Sequence, residues 1–445
     1  MASKLWDKGF SLDEKIEKFT VGQDRVLDLA LAPYDILGTM AHITMLESRG
    51  LLAPDELPLL LAELKALHAR AAAGEFVIED GIEDVHSQVE LMLTRKLGDL
   101  GKKVHTGRSR NDQVLVDLKL FSRDALERIV RKVQSLFAVL QVQSERYKDV
   151  LIPGYTHLQV AMPSSFGLWF GAYAESLADD LSVLKAAWDV TNQNPLGSAA
   201  GYGSSAPLDR SMTTRLLGFD DLDYNVVYAQ MGRGKTERLI AFALSSVAET
   251  LGRLAADCCQ YNSQNFAFIK LPDRMTTGSS IRPHKKNPDV FELIRARCNK
   301  LCAAPNTLRL VTTNLPSGYF RDMQVLKEVF VPLFGELEDC LDIAAYAVQE
   351  MQVAEGLMDD PRYRLAFSVE EVNDRVARGV PFRDAYKAVG LEIQAGEFDY
   401  HGTLHHTHEG SIGNLCNDRI AGKFDRVLSG FTFDRIHAAV DALLG

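Results

Sequence analysis

The chain has 445 residues, 46% of them hydrophobic, and a formal net charge of −11. That length and apolar share suit a large buried core divided among two or three domains. The acidic balance excludes nonspecific nucleic-acid or anionic-membrane binding as an expected role, since either would ask for a basic face.

At the start, residues 1–7 show no charged stretch followed by an apolar one, and no run of about 18 apolar residues occurs further on. The expectation is a cytoplasmic protein with no membrane partner. Six cysteines, with no CxxC pair among them, make no disulfide framework and fit reduced thiols.

Residues 1–108 carry short helical patterns: 54–73 opens on Pro54 and is closed by Gly74, and 84–97 is closed by Gly98. From Ser109 the character changes. Val114, Leu118, Phe121, Ala125, Ile129, Val133, Leu136 and Leu140 recur at steps of three and four, which predicts one amphipathic helix running to about Lys148. Long patterns follow at 164–192, 236–266, 288–313 and 322–352, with alternating β-branched runs nearly absent. The predicted fold is therefore all-α: an N-terminal helical domain (1–108), a central long-helix bundle (109–358) and a C-terminal helical domain (359–445). So much apolar helix surface calls for self-association to cover it.

Three stretches carry candidate chemistry. At 105–113, His-Thr-Gly-Arg-Ser-Arg-Asn-Asp-Gln places Arg110 and Asn111 where a planar carboxylate can be held by paired donors. At 154–163, a Gly-Tyr-Thr-His segment puts His157 between hydrogen-bonding side chains, and imidazole titrates near neutrality. At 276–289, a glycine-opened loop gathers Ser279, Ser280, Arg282, Lys285 and Lys286 before a helix start signed by Asn287 as cap, Pro288 and Asp289. Taken singly, each also fits a bland role: a helix cap, a satisfied core histidine, a solvated basic loop. Gly232 to Thr236 lacks the spacing of a phosphate loop and reads as a helix N-terminus. The histidines at 401, 405, 406 and 408 match no zinc spacing and read as a solvated or capping stretch.

The loop, with its Gly-Ser-Ser at 278–280, Pro283, Lys285, Asn287 and Pro288, resembles the signature of the fumarase/aspartase superfamily. With the 105–113 and 154–163 stretches it resembles the argininosuccinate lyase family more closely than other members, over roughly residues 4–355. The resemblance implies a homotetramer with a many-helix central bundle and sites shared between subunits. It also implies cleavage of argininosuccinate to arginine and fumarate, with no metal and no cofactor. Ser279 would be the base, with Lys285 stabilising its alkoxide; His157, oriented by Glu292, would be the acid. Ser109, Arg110, Asn111, Thr156 and Asn287 would hold the fumarate-forming end, Tyr319, Gln324 and Lys327 the arginine-forming end, and His86 would be a further substrate contact. Two departures stand out: Arg282 replaces a usual methionine, and 19–25 is shorter than its counterpart and lacks a serine. Other fumarate-releasing lyases (adenylosuccinate or aspartate lyase), or a catalytically silent crystallin-like tetramer, are the alternatives.

Overall fold

The computed structural model describes residues 13–445, so the N-terminal stretch read at 1–7 lies outside the described residues. The N-terminal part is built from α1 (Glu14–Val21), α2 (Ala32–Ser48), α3 (Glu56–Ala72) and α4 (Val85–Leu97). Asp84 caps α4 by accepting from the Ser87 amide at 2.9 Å, and Gly98 closes it at φ +63°.

Then comes α5 (Arg110–Arg146), 37 residues, or about 55 Å at 1.5 Å per residue. The predicted stripe from Leu118 to Leu140 is buried along its whole length. A hairpin, β1 (Leu151–Thr156) with β2 (Gln159–Ser165), leads from α5 into α6 (Phe166–Thr191). This hairpin was not legible as strand, because Pro153, Gly154 and Pro163 interrupt any alternating pattern. Gly167 lets α6 pass close to the end of α5: an added Cβ would stand 2.6 Å from Lys148 Cα and 2.8 Å from Ser144 O.

The bundle continues with α7 (Lys235–Tyr261), α8 (Asp289–Leu301), α9 (Ala304–Val311) and α10 (Leu326–Glu350). The single helix expected over 288–313 is thus two. Pro305 has no amide hydrogen for the Leu301 carbonyl and its ring crowds that turn, so α8 stops and α9 begins with proline in its first turn. Pro332, by contrast, is accommodated inside α10. The start expected at Lys235–Thr236 is seen, with Glu237 accepting from the Gly234 amide at 2.7 Å.

α11 (Ser368–Ala377), α12 (Phe382–Ala395), α13 (Asn417–Leu428) and α14 (Phe433–Leu444) complete the fold. One apolar cluster runs through α5, α6, α7, α8 and α10 and takes in Phe424 and Phe433 from the C-terminal helices. A second unites α2, α3 and α4 with Val116, Leu120 and Phe219. A third, small one joins Val372, Ala385, Val389 and Phe398. Among the described residues one straight helix, α7, is long and apolar enough to cross a membrane, and over half of that stretch is buried within the protein. The architecture is predominantly helical around long central helices.

Candidate active site

The N-terminus of α5 organises one wall of a cavity of about 490 Å³. Gly107, at φ +73°, turns the chain where Leu208 leaves no room for a Cβ, and Ser109 then caps α5 by accepting from the Asn111 amide at 3.3 Å. Ser109, Arg110 and Asn111 thereby face the cavity. His86 on α4, Tyr319 and Gln324 in the segment before α10, and Lys327 in its first turn face it too. Seven of the residues singled out in the sequence, scattered over about 240 positions, line one space.

Its cations are already engaged. Arg110 donates to Glu83 at 3.2 Å and forms a short ion pair with Asp84, and Arg321 reaches Glu83 at 2.7 Å. Lys327 is buried between Asp24 at 2.8 Å and Asp28 at 2.6 Å. Burial alone would lower the lysine's pKa; the two carboxylates more than offset that and raise it. Burial raises Asp24 to about 6, with Lys327 opposing. Gln324 donates to the Thr20 carbonyl at 2.8 Å, tying α10 to the shortened 19–25 segment. The sequence reading missed Asp28, Arg108 and Arg233 as lining residues. Arg321 and the Glu83-Asp84 pair stood next to residues that were chosen, and that adjacency was the available signal.

Two other groups lie elsewhere in the chain. Thr156 ends β1, and His157 and Leu158 form the two-residue turn of the hairpin, both left-handed at φ +55° and +58°, as a type I′ turn requires. Tyr155 anchors the base of this tip against Phe266, at 5.4 Å between ring centroids. The turn itself is exposed. The signature loop is pinched at its base by a bridge between Thr277 and Asn287, with the Asn287 amide donating to the Thr277 carbonyl at 2.9 Å. Inside it, Arg282 Nε donates to Ser279 Oγ at 3.3 Å and Lys285 Nζ to Asn287 Oδ1 at 2.5 Å. Asn287 was expected to cap α8; it closes the loop instead, and Pro288 takes the cap position without a side-chain bond. Glu292 lies exposed one turn into α8, and within one protomer no hydrogen bond among the described residues joins it to His157.

Ser109 and the hairpin sit at opposite ends of α5. The hairpin begins beyond the far end of this helix, about 55 Å from Ser109, and neither His157 nor the signature loop lines the cavity. One small ligand cannot touch both ends. The 401–408 histidines hold no shared ligand geometry: His406 pairs with Ser411 at 2.7 Å and Glu370 at 3.2 Å and stacks on His408.

Known proteins resemble this chain in sequence and in fold. A lyase family model matches residues 12–302. Argininosuccinate lyase of Phocaeicola vulgatus is 65% identical over 445 residues, spanning the whole of both chains. That of Thermotoga neapolitana is 38% identical over 389 residues, 87% of this chain and 98% of that one. Among solved structures, EDDS lyase in complex with formate superposes with a TM-score of 0.74 at 22% identity, covering 98% of this chain and 94% of that one. A fumarate lyase:delta crystallin from Brucella melitensis does so at 0.67 and 16%, covering 95% and 94%. The last two bear on the fold alone; the identity to the first, over the whole of both chains, and to the second, over most of both, places the chain in the argininosuccinate lyase family.

Proposed function

We propose that this protein cleaves argininosuccinate to arginine and fumarate. The observation that carries the reading is the 65% identity to an argininosuccinate lyase with neither chain left unmatched. The cavity suits such a substrate: guanidinium groups and a lysine for carboxylates, acidic side chains for the guanidinium that departs with arginine.

In this reading Ser279 removes the proton next to a succinyl carboxylate, and negative charge spreads into that carboxylate. A serine alcohol is too weak a base unless its alkoxide is stabilised, the role assigned to Lys285 and to the loop's backbone N–H groups once the loop has closed over the substrate. His157, oriented by Glu292, protonates the leaving nitrogen. Thr156 and Asn287 join Ser109, Arg110 and Asn111 around the fumarate-forming end; Tyr319, Gln324 and Lys327 hold the other end and His86 adds a contact. No metal or cofactor enters this scheme.

The separation along α5 supports a homotetramer in which one chain's cavity receives the hairpin and the loop of other chains. A division at 1–108, 109–358 and 359–445 accords with the three apolar clusters, although the last two helices pack back on the larger ones. A cytoplasmic location belongs to the same reading. The deciding experiment mixes purified protein with argininosuccinate and follows fumarate by ultraviolet absorbance, without added metal; a steady rise is expected. Fumarate from adenylosuccinate or aspartate instead would make it a different lyase, and silence with all three would make it a structural protein.

A further inference from the structure

Behind the cavity wall, α2, α4 and α5 bring together Asp35, His86 and Asp117, all buried. His86 Nδ1 lies 2.6 Å from Asp35 Oδ1 and 3.5 Å from Asp117 Oδ2. Asp35 Oδ2 and both oxygens of Asp117 have no donor, although Asp117 is within hydrogen-bonding reach of Asp35. Of the three, only His86 lines the cavity, and with Nδ1 taken, Nε2 is the nitrogen left for it.

The surrounding charges do not neutralise this group. Asp28 is paired with Lys327 and Asp84 with Arg110. Arg108 spends its hydrogen bonds on Thr39 at 3.0 Å and the Val104 carbonyl at 2.8 Å, so its charge is spread over Asp35, Asp112 and Asp117. Asp112 accepts from the Gly197 amide at 3.1 Å, and burial, with the charge of Arg108, holds His105 below its ordinary pKa, so it adds little positive charge. Two buried carboxylates and one imidazole at the cavity wall are therefore left to settle their own protons. With Asp112 also drawing on Arg108, three ionised carboxylates there would be one charge too many for one guanidinium and one imidazolium. One extra proton removes the excess and turns an orphan acceptor into a donor. A metal ion fits worse: ligands about 2.1 Å from a tetrahedral ion stand about 3.4 Å apart, well beyond the 2.6 Å between His86 and Asp35.

We infer that Asp117 is held as the neutral acid and Asp35 as the carboxylate, and that together they keep His86 an imidazolium offering Nε2–H to an anionic oxygen of the substrate. Asp35 and Asp117 are thus positioning residues for His86, and only the identity of that substrate rests on the lyase reading. The titration of the groups agrees. Burial, then the charges of Asp35 and Asp28, push Asp117 well above the usual carboxylate range. Burial draws His86 down, but Asp35, by charge and hydrogen bond, with Asp84 and Asp28, raises it on balance.

The test uses the full chain with Asp117→Asn and Asp35→Asn. Folded wild type keeps a proton on Asp117 that the unfolded chain releases above the ordinary carboxylate pKa, so this group's contribution is present at low pH and lost as pH rises through its elevated folded pKa. An amide needs no proton. The melting temperature of Asp117→Asn should therefore gain steadily on wild type between about pH 6 and about pH 8.5; a gap that is flat or shrinks would overturn the neutral acid. Asp35→Asn should raise KM about tenfold and move the alkaline limb of the KM profile about one unit lower, with kcat changing less. Asp117→Asn should leave that limb where wild type has it. An unmoved limb in Asp35→Asn, or one divalent ion per chain by elemental analysis, would also overturn the inference. Should Asp35→Asn not fold, the stability comparison decides alone. That comparison needs no substrate, so a wild type that released no fumarate would sink the lyase reading and leave this one standing.

Discussion

At the level of single residues, the signature loop is the place where sequence and structure inform each other most. Ser279 was chosen for its position in a motif, and the structure adds the immediate partner, Arg282, in the position where the family usually has methionine. A guanidinium donating to the serine oxygen favours the ionised form of that oxygen, as a hydrogen bond to any anion does. Ser279→Ala should abolish most of the turnover while substrate still binds, and Lys285→Ala should fall steeply as well. Their losses should not multiply, since both serve one proton abstraction; steady-state kinetics of the double variant checks this, and a product of the two single factors would remove Ser279 from the role of base. Asn287 shows where residue-level reading fell short. Asparagine before proline looks like a helix cap, but the same amide satisfies Lys285 and the Gly278 carbonyl across the loop, a competition visible only in three dimensions.

For whole elements, periodicity was the reliable guide. The stripe on α5 was legible from Leu118 to Leu140 because it buries one face against neighbours on every side, whereas the hairpin before α6 was not, since its prolines and glycine carry no alternating signal. The break between α8 and α9 was written in Pro305 and overridden by the apolar pattern around it. Packing between elements was invisible until seen. Gly167 reads as a weak spot in a helix, yet it is where α6 meets the backbone at the end of α5. Gly167→Ala would improve helix propensity and still destabilise, by about 3 kcal/mol, because the new methyl meets main chain that cannot swing aside. Thermal unfolding measures this; a variant as stable as wild type would show that α5 and α6 can part without loss.

For the whole molecule, the sequence names candidate site residues, and the structure supplies their dispersal. Seven binding candidates converge because α4, α5 and α10 end at one cavity, a long-range arrangement that no local pattern encodes. His157, Ser279 and Glu292 do not join them within the protomer. Light scattering at micromolar concentration should give about four times the chain mass. Dilution that splits the assembly should extinguish activity with it; a fully active monomer would refute shared sites.

The rigid span of α5 also bears on inheritance. In the shared-site assembly proposed above its two ends serve different sites, so two chains damaged at opposite ends are not equally damaged in company. A subunit with a defective cavity can lend its intact hairpin or loop to a neighbour whose cavity is sound. Two inactive alleles carried in one cell, one altered at Asn111 and the other at Ser279, would then form mixed assemblies in which some sites are built wholly from unaltered parts.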